Sequence, residues 1–437
     1  MKYLRRFLPA LAIFGLALLV RVVFNNTVAA AYTPTTDAAG FQSIALNLIK
    51  NGCFCIFPPQ PTVDRAPLWP ATIAVIYRIV GEQNYSVRLF LSVVGSFTCL
   101  LLYFLARDVF DRRIGIVAGV IAAVYPQLFV YDGWMDAESL FIFLLIAFSY
   151  GLLRIQRTAK PLWWLWSGFF LGLLSLERPN GLFVFAIFIV WALIVGWKKI
   201  LPRRQVFRSG LVITLIACAM IVPWTIRNYA ISGAFIPVTT GQGTVLIGAY
   251  NDAVLQPDNF GWWVNPNYAN LTLGMRYQMA NLQGPSAQVA REAAFQQAAE
   301  QWALQHITDL PSLVIAHFLH MWEPMPIDSD HPVSRFAVLP ATRFVVLLAD
   351  GATFCIYPLA MLGLLLTLRR RWRELLFLYL LISMTILQCL IIYGSPRFRA
   401  PIEPALIMLV VGACWWLTQP DNFLRQWLKG RGRVGAD

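Results

Sequence analysis

Apolar residues along this chain come in long uninterrupted blocks, with polar residues confined to the segments between them. A helix needs about 20 apolar residues to cross a bilayer core. Ten blocks qualify or come close: roughly 7–24, 85–107, 114–131, 138–154, 162–177, 180–198, 207–224, 341–368, 374–392 and 402–418. The pattern predicts an all-α polytopic membrane protein of about 10 transmembrane helices. Two further stretches are helical without spanning. In DAAGFQSIALNLIKNG, Phe41, Ile44, Ala45 and Leu48 recur at i, i+3, i+4 and i+7, so one face is apolar. Thr36 or Asp37 can cap its start and Gly52 its end. Residues 67–80 are apolar but short and carry Arg78, which predicts a helix lying in the outer interface with Pro67 near its first turn.

The charges between the blocks orient them. With the amino terminus in the cytoplasm, the inner segments hold Arg107, Arg112 and Arg113; Arg154, Arg157 and Lys160; Lys198, Lys199, Arg203, Arg204 and Arg208; Arg369, Arg370, Arg371 and Arg373; and Arg425, Lys429, Arg431 and Arg433. Together with Lys2, Arg5 and Arg6 that is 22 of the 35 Lys and Arg residues, as the positive-inside rule requires. Of the 22 acidic residues only Asp108, Asp111, Glu374, Asp421 and Asp437 fall inside. All four histidines (His306, His317, His320 and His331) fall outside, so the chemistry is expected on the outer face. Three regions follow: an amino-terminal membrane domain, 1–225, whose first external loop is 25–84; an external loop domain, 226–340; and carboxy-terminal spans with a cytoplasmic tail, 341–437.

Composition closes off other classes. Only 13% of residues are charged and 58% are hydrophobic, outside the range of soluble domains. The net charge of +13 follows from the topology clusters and not from a basic stripe, which removes nucleic acid as a partner. Arg21 and Asn25-Asn26 favour an uncleaved first span over a signal peptide. Five cysteines lie in apolar blocks; Cys53 and Cys55 alone are in a polar loop, where so close a pair makes a strained disulfide and a poor metal site.

The outer segments hold the candidate chemistry. Asp37, at a helix start, is expected to stay ionised and can act as a general base, or serve only as a cap. Asp64, in the same loop with Arg65 just before Pro67, joins the candidates for an acceptor or second acidic site. The turn YDGWMDAES carries Asp132, Asp136 and Glu138, either a solvated turn or a second acidic site that orients an acceptor or a metal. Five outer arginines break the positive-inside bias: Arg65, Arg178, Arg227, Arg397 and Arg399. A guanidinium fork grips phosphate and keeps its charge in a low dielectric, so these are donor-phosphate candidates; snorkelling is the alternative. Arg399 is favoured over Arg397 as the one facing the donor. His317, His320 and Glu323 could share a helix edge and are weak candidates for a divalent metal, the only cofactor left open.

These pieces resemble a family. RAPLWP (65–70), NYSVRLFLSVVGSFTCLLLYFLARDVFDRRIG (84–115), YPQLFVYDGWMDAESLF (125–141), ERPNGL (177–182), PWTIRNY (223–229) and SPRFRAPIEPAL (395–406) follow Asp37 in an order similar to that of the GT-C membrane glycosyltransferases. The likeness is to the bacterial branch of the dolichyl-phosphate-mannose protein mannosyltransferases (glycosyltransferase family 39), which includes aminoarabinose transferases acting on lipid A. It implies a GT-C-like fold with outer-face interfacial helices and inverting transfer of a hexose-like sugar from a polyprenyl-phosphate-linked donor to a lipid, glycan or protein. It also implies a bacterial inner or plasma membrane, with the site on the periplasmic or extracellular side, and Asp37 as base or acceptor ligand. Protein mannosyltransferases often have Asp-Glu where this chain has Asp37-Ala38, which weakens a protein acceptor. Two other readings stand beside it: a transporter or flippase of a lipid-linked substrate, and an oligosaccharide polymerase or ligase. Carboxylates gathered at outer helix ends, rather than at mid-membrane, count against the transporter.

Overall fold

A computed structural model describes residues 2–158, 160–266, 284–323, 336 and 340–419. The basic tail cluster and His331 lie outside the described residues, as does much of the predicted loop domain's middle. The elements are helical throughout the described residues: α1 (Lys2–Asn26), α2 (Thr36–Asn51), α3 (Leu68–Val80), α4 (Asn84–Val109), α5 (Arg112–Val124), α6 (Pro126–Phe129), α7 (Glu138–Arg157), α8 (Leu162–Glu177) and α9 (Asn180–Trp197). There follow α10 (Arg203–Ser232), α11 (Gln242–Ala249), α12 (Gly284–Gln305), α13 (Leu310–Trp322), α14 (Pro340–Arg370), α15 (Trp372–Ile391), α16 (Pro396–Arg399) and α17 (Glu403–Thr418).

Among the described residues eight helices are long and apolar enough to cross a membrane, or nine if one bent pair counts as a span. The protein is an integral membrane protein. The block at 162–177 is a 16-residue helix, shorter than the others but packed between α7 and α10. The block at 114–131 is not one straight span. It bends by 60° between α5 and the segment Pro126–Gly133. Pro126 has no N–H for the helix ladder and drives Tyr125 to extended dihedrals (φ −76°, ψ 115°), which stops α5 and swings the chain sideways. That break carries the acidic turn at 132–138 into the protein interior.

A buried ion pair fixes the break. Arg21 of α1 donates from Nε to Asp132 at 2.5 Å, and both side chains are enclosed. Ser139 donates to the other Asp132 oxygen at 2.6 Å. The pair fits because position 95 of α4 is glycine: a Cβ there would collide with both partners. Charges this deep are tolerated because each is paired and hydrogen-bonded.

The two short outer helices form as the periodicity predicts. Gly52 ends α2 in the left-handed region (φ 62°), and α3, at 13 residues, is too short to span. Trp69 of α3 donates from its indole to the Met135 carbonyl at 3.0 Å, tying the helix to the acidic turn. Cys53 and Cys55 depart from expectation: they are disulfide-bonded, because the loop holds their Cα atoms 5.3 Å apart, within bridging range.

The topology has a direct check. Single cysteines at Glu82 and Asp258 are expected to react with an impermeant thiol reagent from the outside, and those at Asp111 and Arg157 only from the cytoplasm. All four positions are exposed. Cytoplasmic labelling at Glu82 would mean that α3 crosses, and would invert every later segment.

Candidate active site

Six residues spread from position 37 to position 397 meet where α2, α7, α8 and α16 begin or end. At their centre is Arg397, in the first turn after Ser395, whose hydroxyl accepts from the Arg397 amide and starts α16. Its guanidinium spends every nitrogen on a carboxylate. Nη1 reaches Asp37 at 3.2 Å, Nη2 reaches Asp136 at 3.1 Å and Nε reaches Glu138 at 2.5 Å. The fork lies against Trp134, 5.2 Å from its ring centroid. Glu138 is shared with Arg178 at 2.7 Å, and Asp37 is shared with Arg65 at 3.0 Å.

Burial differs sharply within this cluster. The side chains of Asp136 and Glu138 are 1% exposed, whereas that of Asp37 is 39% exposed. Asp37 is not the helix cap: α2 begins at Thr36 with no side-chain cap, and the Asp37 carboxylate faces the two guanidiniums instead. The protein around Asp37 works against its ionisation, but Arg397 and Arg65 outweigh that and hold its carboxyl below the usual range. Asp136 behaves in the opposite way. Burial, with the neighbouring Glu138 and Asp37 charges, outweighs Arg397 and pushes its carboxyl up to about 8. The turn YDGWMDAES is therefore no solvated turn: Asp132, Asp136 and Glu138 are all enclosed.

Because Asp136 holds its proton more tightly folded than unfolded, the folded form is favoured at low pH. Stability then falls as pH rises from the ordinary carboxylate range towards about 8, where the loss levels off. Asp136→Asn imitates the protonated acid, so its thermal midpoint in nanodiscs should change less between pH 5 and pH 8 than that of the parent chain. Parallel pH curves for the two proteins would mean that Asp136 is ionised in the fold.

The remaining sequence candidates lie elsewhere. Arg399 is fully enclosed: it pairs with Glu403 at 2.7 Å and donates to the carbonyls of Met321 and Glu323. Tyr125 donates to the other Glu403 oxygen at 2.8 Å, so this group clamps α13 to the last span. Of the two arginines it is Arg397 that enters the acidic cluster, because α16 turns positions 397 and 399 in different directions. Arg227 stacks between Trp224 and Phe54 and donates to the Thr62 carbonyl, bracing the first loop. Asp64 accepts from Thr240 and Arg291, tying that loop to α12. His320 has both ring nitrogens engaged, by Glu323 and by the Phe260 carbonyl. His317 is buried with Nδ1 at 3.3 Å from the Leu390 carbonyl.

A divalent metal does not fit these donors. Among the described residues no three His, Cys, Asp or Glu side chains are placed to hold one, and the three converging carboxylates are held by a guanidinium.

Three participants were missed in the sequence. Trp134 and Trp69 sit in quoted motifs but carry no charge to draw attention. Glu177, beside Arg178, is fully buried with both carboxyl oxygens unpartnered. Its signal was an acid at the end of an otherwise apolar block, in LERPNG.

The sequence model of a family described as dolichyl-phosphate-mannose-protein mannosyltransferase matches residues 64–224. No curated protein matches the sequence. Solved structures match across nearly the whole chain. The archaeal oligosaccharyltransferase AglB from Archaeoglobus fulgidus, in complex with an inhibitory peptide and a dolichol-phosphate, is 14% identical over 100% of this chain and 53% of its own, with a TM-score of 0.57. The fold is GT-C. The Archaeoglobus fulgidus enzyme tethered to an acceptor peptide containing the NVT sequon aligns with 95% of this chain and 50% of its own, at 15% identity and a TM-score of 0.57. ArnT from Cupriavidus metallidurans bound to undecaprenyl phosphate covers 93% of this chain and 77% of its own, at 12% identity and a TM-score of 0.43. The chain thus spans about half the length of the archaeal enzymes it matches. In the GT-C fold of this chain the acidic cluster joins the first outer loop, the turn before α7, the end of α8 and the start of the last span.

Proposed function

We propose that this chain transfers a sugar from a polyprenyl-phosphate-linked donor to an acceptor at the outer face of the membrane, with inversion at the anomeric carbon. The observation that carries the reading is the state of Asp37: a partly exposed, ionised carboxylate flanked by two guanidiniums. One of these, Arg65, has a buried Nε–H with no acceptor. A phosphate oxygen is the kind of group that Nε would take.

The chemistry balances on these residues. An acceptor hydroxyl attacks the anomeric carbon, and its proton passes to an Asp37 carboxylate oxygen. The bond from the anomeric carbon to the phosphate oxygen breaks, and the electron pair leaves on polyprenyl phosphate. Arg65 and Arg178 meet the charge that develops there, because each holds only part of its fork on a carboxylate. Arg397 has no nitrogen to spare and acts by positioning Asp37. The bacterial inner membrane, the periplasmic face and a hexosyl donor belong to this proposal, on the strength of the motif resemblance.

Discharge of a defined donor tests it. Purified protein in nanodiscs, given a panel of polyprenyl-phosphate hexoses, should release free polyprenyl phosphate, and the rate should rise as pH passes up through the Asp37 range. Discharge confined to pyrophosphate-linked oligosaccharides would instead make the chain an oligosaccharide ligase. Protein-dependent movement of an intact donor across vesicles, without discharge, would make it a flippase.

A further inference from the structure

Residues 61–67 lie in no helix, so their backbone groups must find partners on neighbouring elements. This stretch carries Arg65, whose Nη2 reaches Asp37 at 3.0 Å. Its partners come from the segment before α11 and from the outer helix α12. The Val63 carbonyl accepts from the Thr240 amide at 2.9 Å and from the Thr239 hydroxyl at 3.0 Å. The Val63 amide donates to the Gln288 side-chain oxygen at 2.9 Å, and the Thr62 hydroxyl donates to the same oxygen at 3.3 Å. The Asp64 carboxylate takes the Thr240 hydroxyl at 2.6 Å on one oxygen and Arg291 Nη2 at 3.0 Å on the other.

The helix that supplies these groups is itself held in place. Gln288 and Arg291 are three residues apart on α12 and so share one face. Glu292, next to Arg291, accepts from the Thr244 amide at 2.8 Å and from its hydroxyl at 2.5 Å, which pins α12 to the start of α11. The two approach closely enough that a Cβ at Gly243 would strike the Glu292 backbone.

Asp64 links this frame to the acidic cluster. Its carboxylate is gripped by Arg291 and Thr240, while its backbone carbonyl accepts from Arg65 Nη1 at 3.1 Å. An unbroken bonded path therefore runs from Arg291 to Asp64, to Arg65 and to Asp37. Contacts at Thr62 and Val63 would suffice to tether the loop. The two donors on the Asp64 carboxylate fix the residue whose carbonyl aims the guanidinium. We infer that Arg291 is a positioning residue for transfer: through Asp64 it sets the Arg65 guanidinium against Asp37 and the donor phosphate. The inference rests on the transfer reading above and adds the outer helix α12 to the machinery of that site.

The test uses purified protein in nanodiscs. In Arg291→Ala, affinity for a polyprenyl-phosphate hexose should fall about tenfold, the scale of one misplaced charge-assisted bond. Asp37 is faced by Arg65 and Arg397, with Arg178 and Asp136 also in electrostatic reach. A displaced Arg65 no longer helps to hold the Asp37 carboxyl down, so the acid limb of the transfer rate should move to higher pH. Arg291→Lys, which returns one donor to Asp64, should recover most of both properties. Thr240→Val strips the other donor from the Asp64 carboxylate and should repeat both changes in milder form. In an Arg65→Ala background, Arg291→Ala should add no further loss, since the group it positions is gone. A full further loss there, or parental affinity and pH profile in Arg291→Ala, would overturn the positioning role and leave only a fold-stabilising tie. A second readout needs no donor. Modification of Arg65 by phenylglyoxal, mapped by mass spectrometry, should be faster in Arg291→Ala than in the parent, and an equal rate would also overturn the role. Failure of the parent to discharge any donor would instead remove the transfer reading, and the phenylglyoxal comparison would still decide whether Arg291 places Arg65.

Discussion

Replacing Asp37 by asparagine is expected to lower turnover at least about a hundredfold, the scale of losing a general base, while protein yield and donor affinity stay near those of the parent. Asparagine keeps the shape and can still accept a hydrogen bond from Arg65, but it cannot take a proton from the acceptor. The exposure of the side chain argues that folding does not depend on it: Asp37 is 39% exposed, whereas Asp136 and Glu138 are 1% exposed. Two measurements on the same preparation decide the matter, donor binding and single-turnover transfer. Turnover like that of the parent would leave Asp37 as an ion-pair partner and move the base to another acid, of which Asp136 is already protonated at neutral pH.

The second large effect belongs to Arg397. Its three nitrogens serve three different carboxylates, two of them enclosed. Arg397→Ala leaves Glu138 with Arg178 alone and Asp136 with nothing among the bonds it now makes. Leaving a buried hydrogen-bonding group without its partner costs about 1–3 kcal/mol, more for a charged group, so this variant should be clearly destabilised. Arg397→Lys is the sharper test. Lysine restores a charge but not a planar fork, and one ammonium cannot reproduce three directions at once. Loss of charge-assisted bonds of about 1.5–3 kcal/mol each predicts a lower thermal midpoint together with slower transfer, because Asp37 loses its anchor. If the lysine variant matched the parent in both, the fork geometry would be irrelevant and Arg397 would be a simple counter-charge. Arg399→Lys should also destabilise, through the Glu403 and Met321 contacts, without moving the pH dependence of transfer.

The two arginines show why spacing alone could not rank them. Positions 397 and 399 carry the same side chain at the same outer end of the final block. Their roles differ because the α16 turn sends one towards Asp37 and the other towards Glu403 and α13. Asp132 and Asp136 were equally indistinguishable in YDGWMDAES. One pairs with Arg21 within the helix bundle and the other with Arg397 in the acidic cluster, and the 60° break at Tyr125 decides which goes where.

What the sequence by itself determined was the membrane class, most of the long apolar helices and the two short helices of the first loop; the orientation is its expectation. These follow from local quantities: block length against bilayer thickness, the sign of charge at each block end, and a helical period of apolar residues. Most of the residues of the cluster were also legible as candidates, since a charge at the end of an apolar block is costly unless it is used. Only the tertiary structure decided which of them meet. A guanidinium at 397 finds carboxylates at 37, 136 and 138 through the packing of distant helices, and no local rule relates those positions. The proton on Asp136 has the same origin, because burial and neighbouring charge are properties of the assembled site and not of the residue.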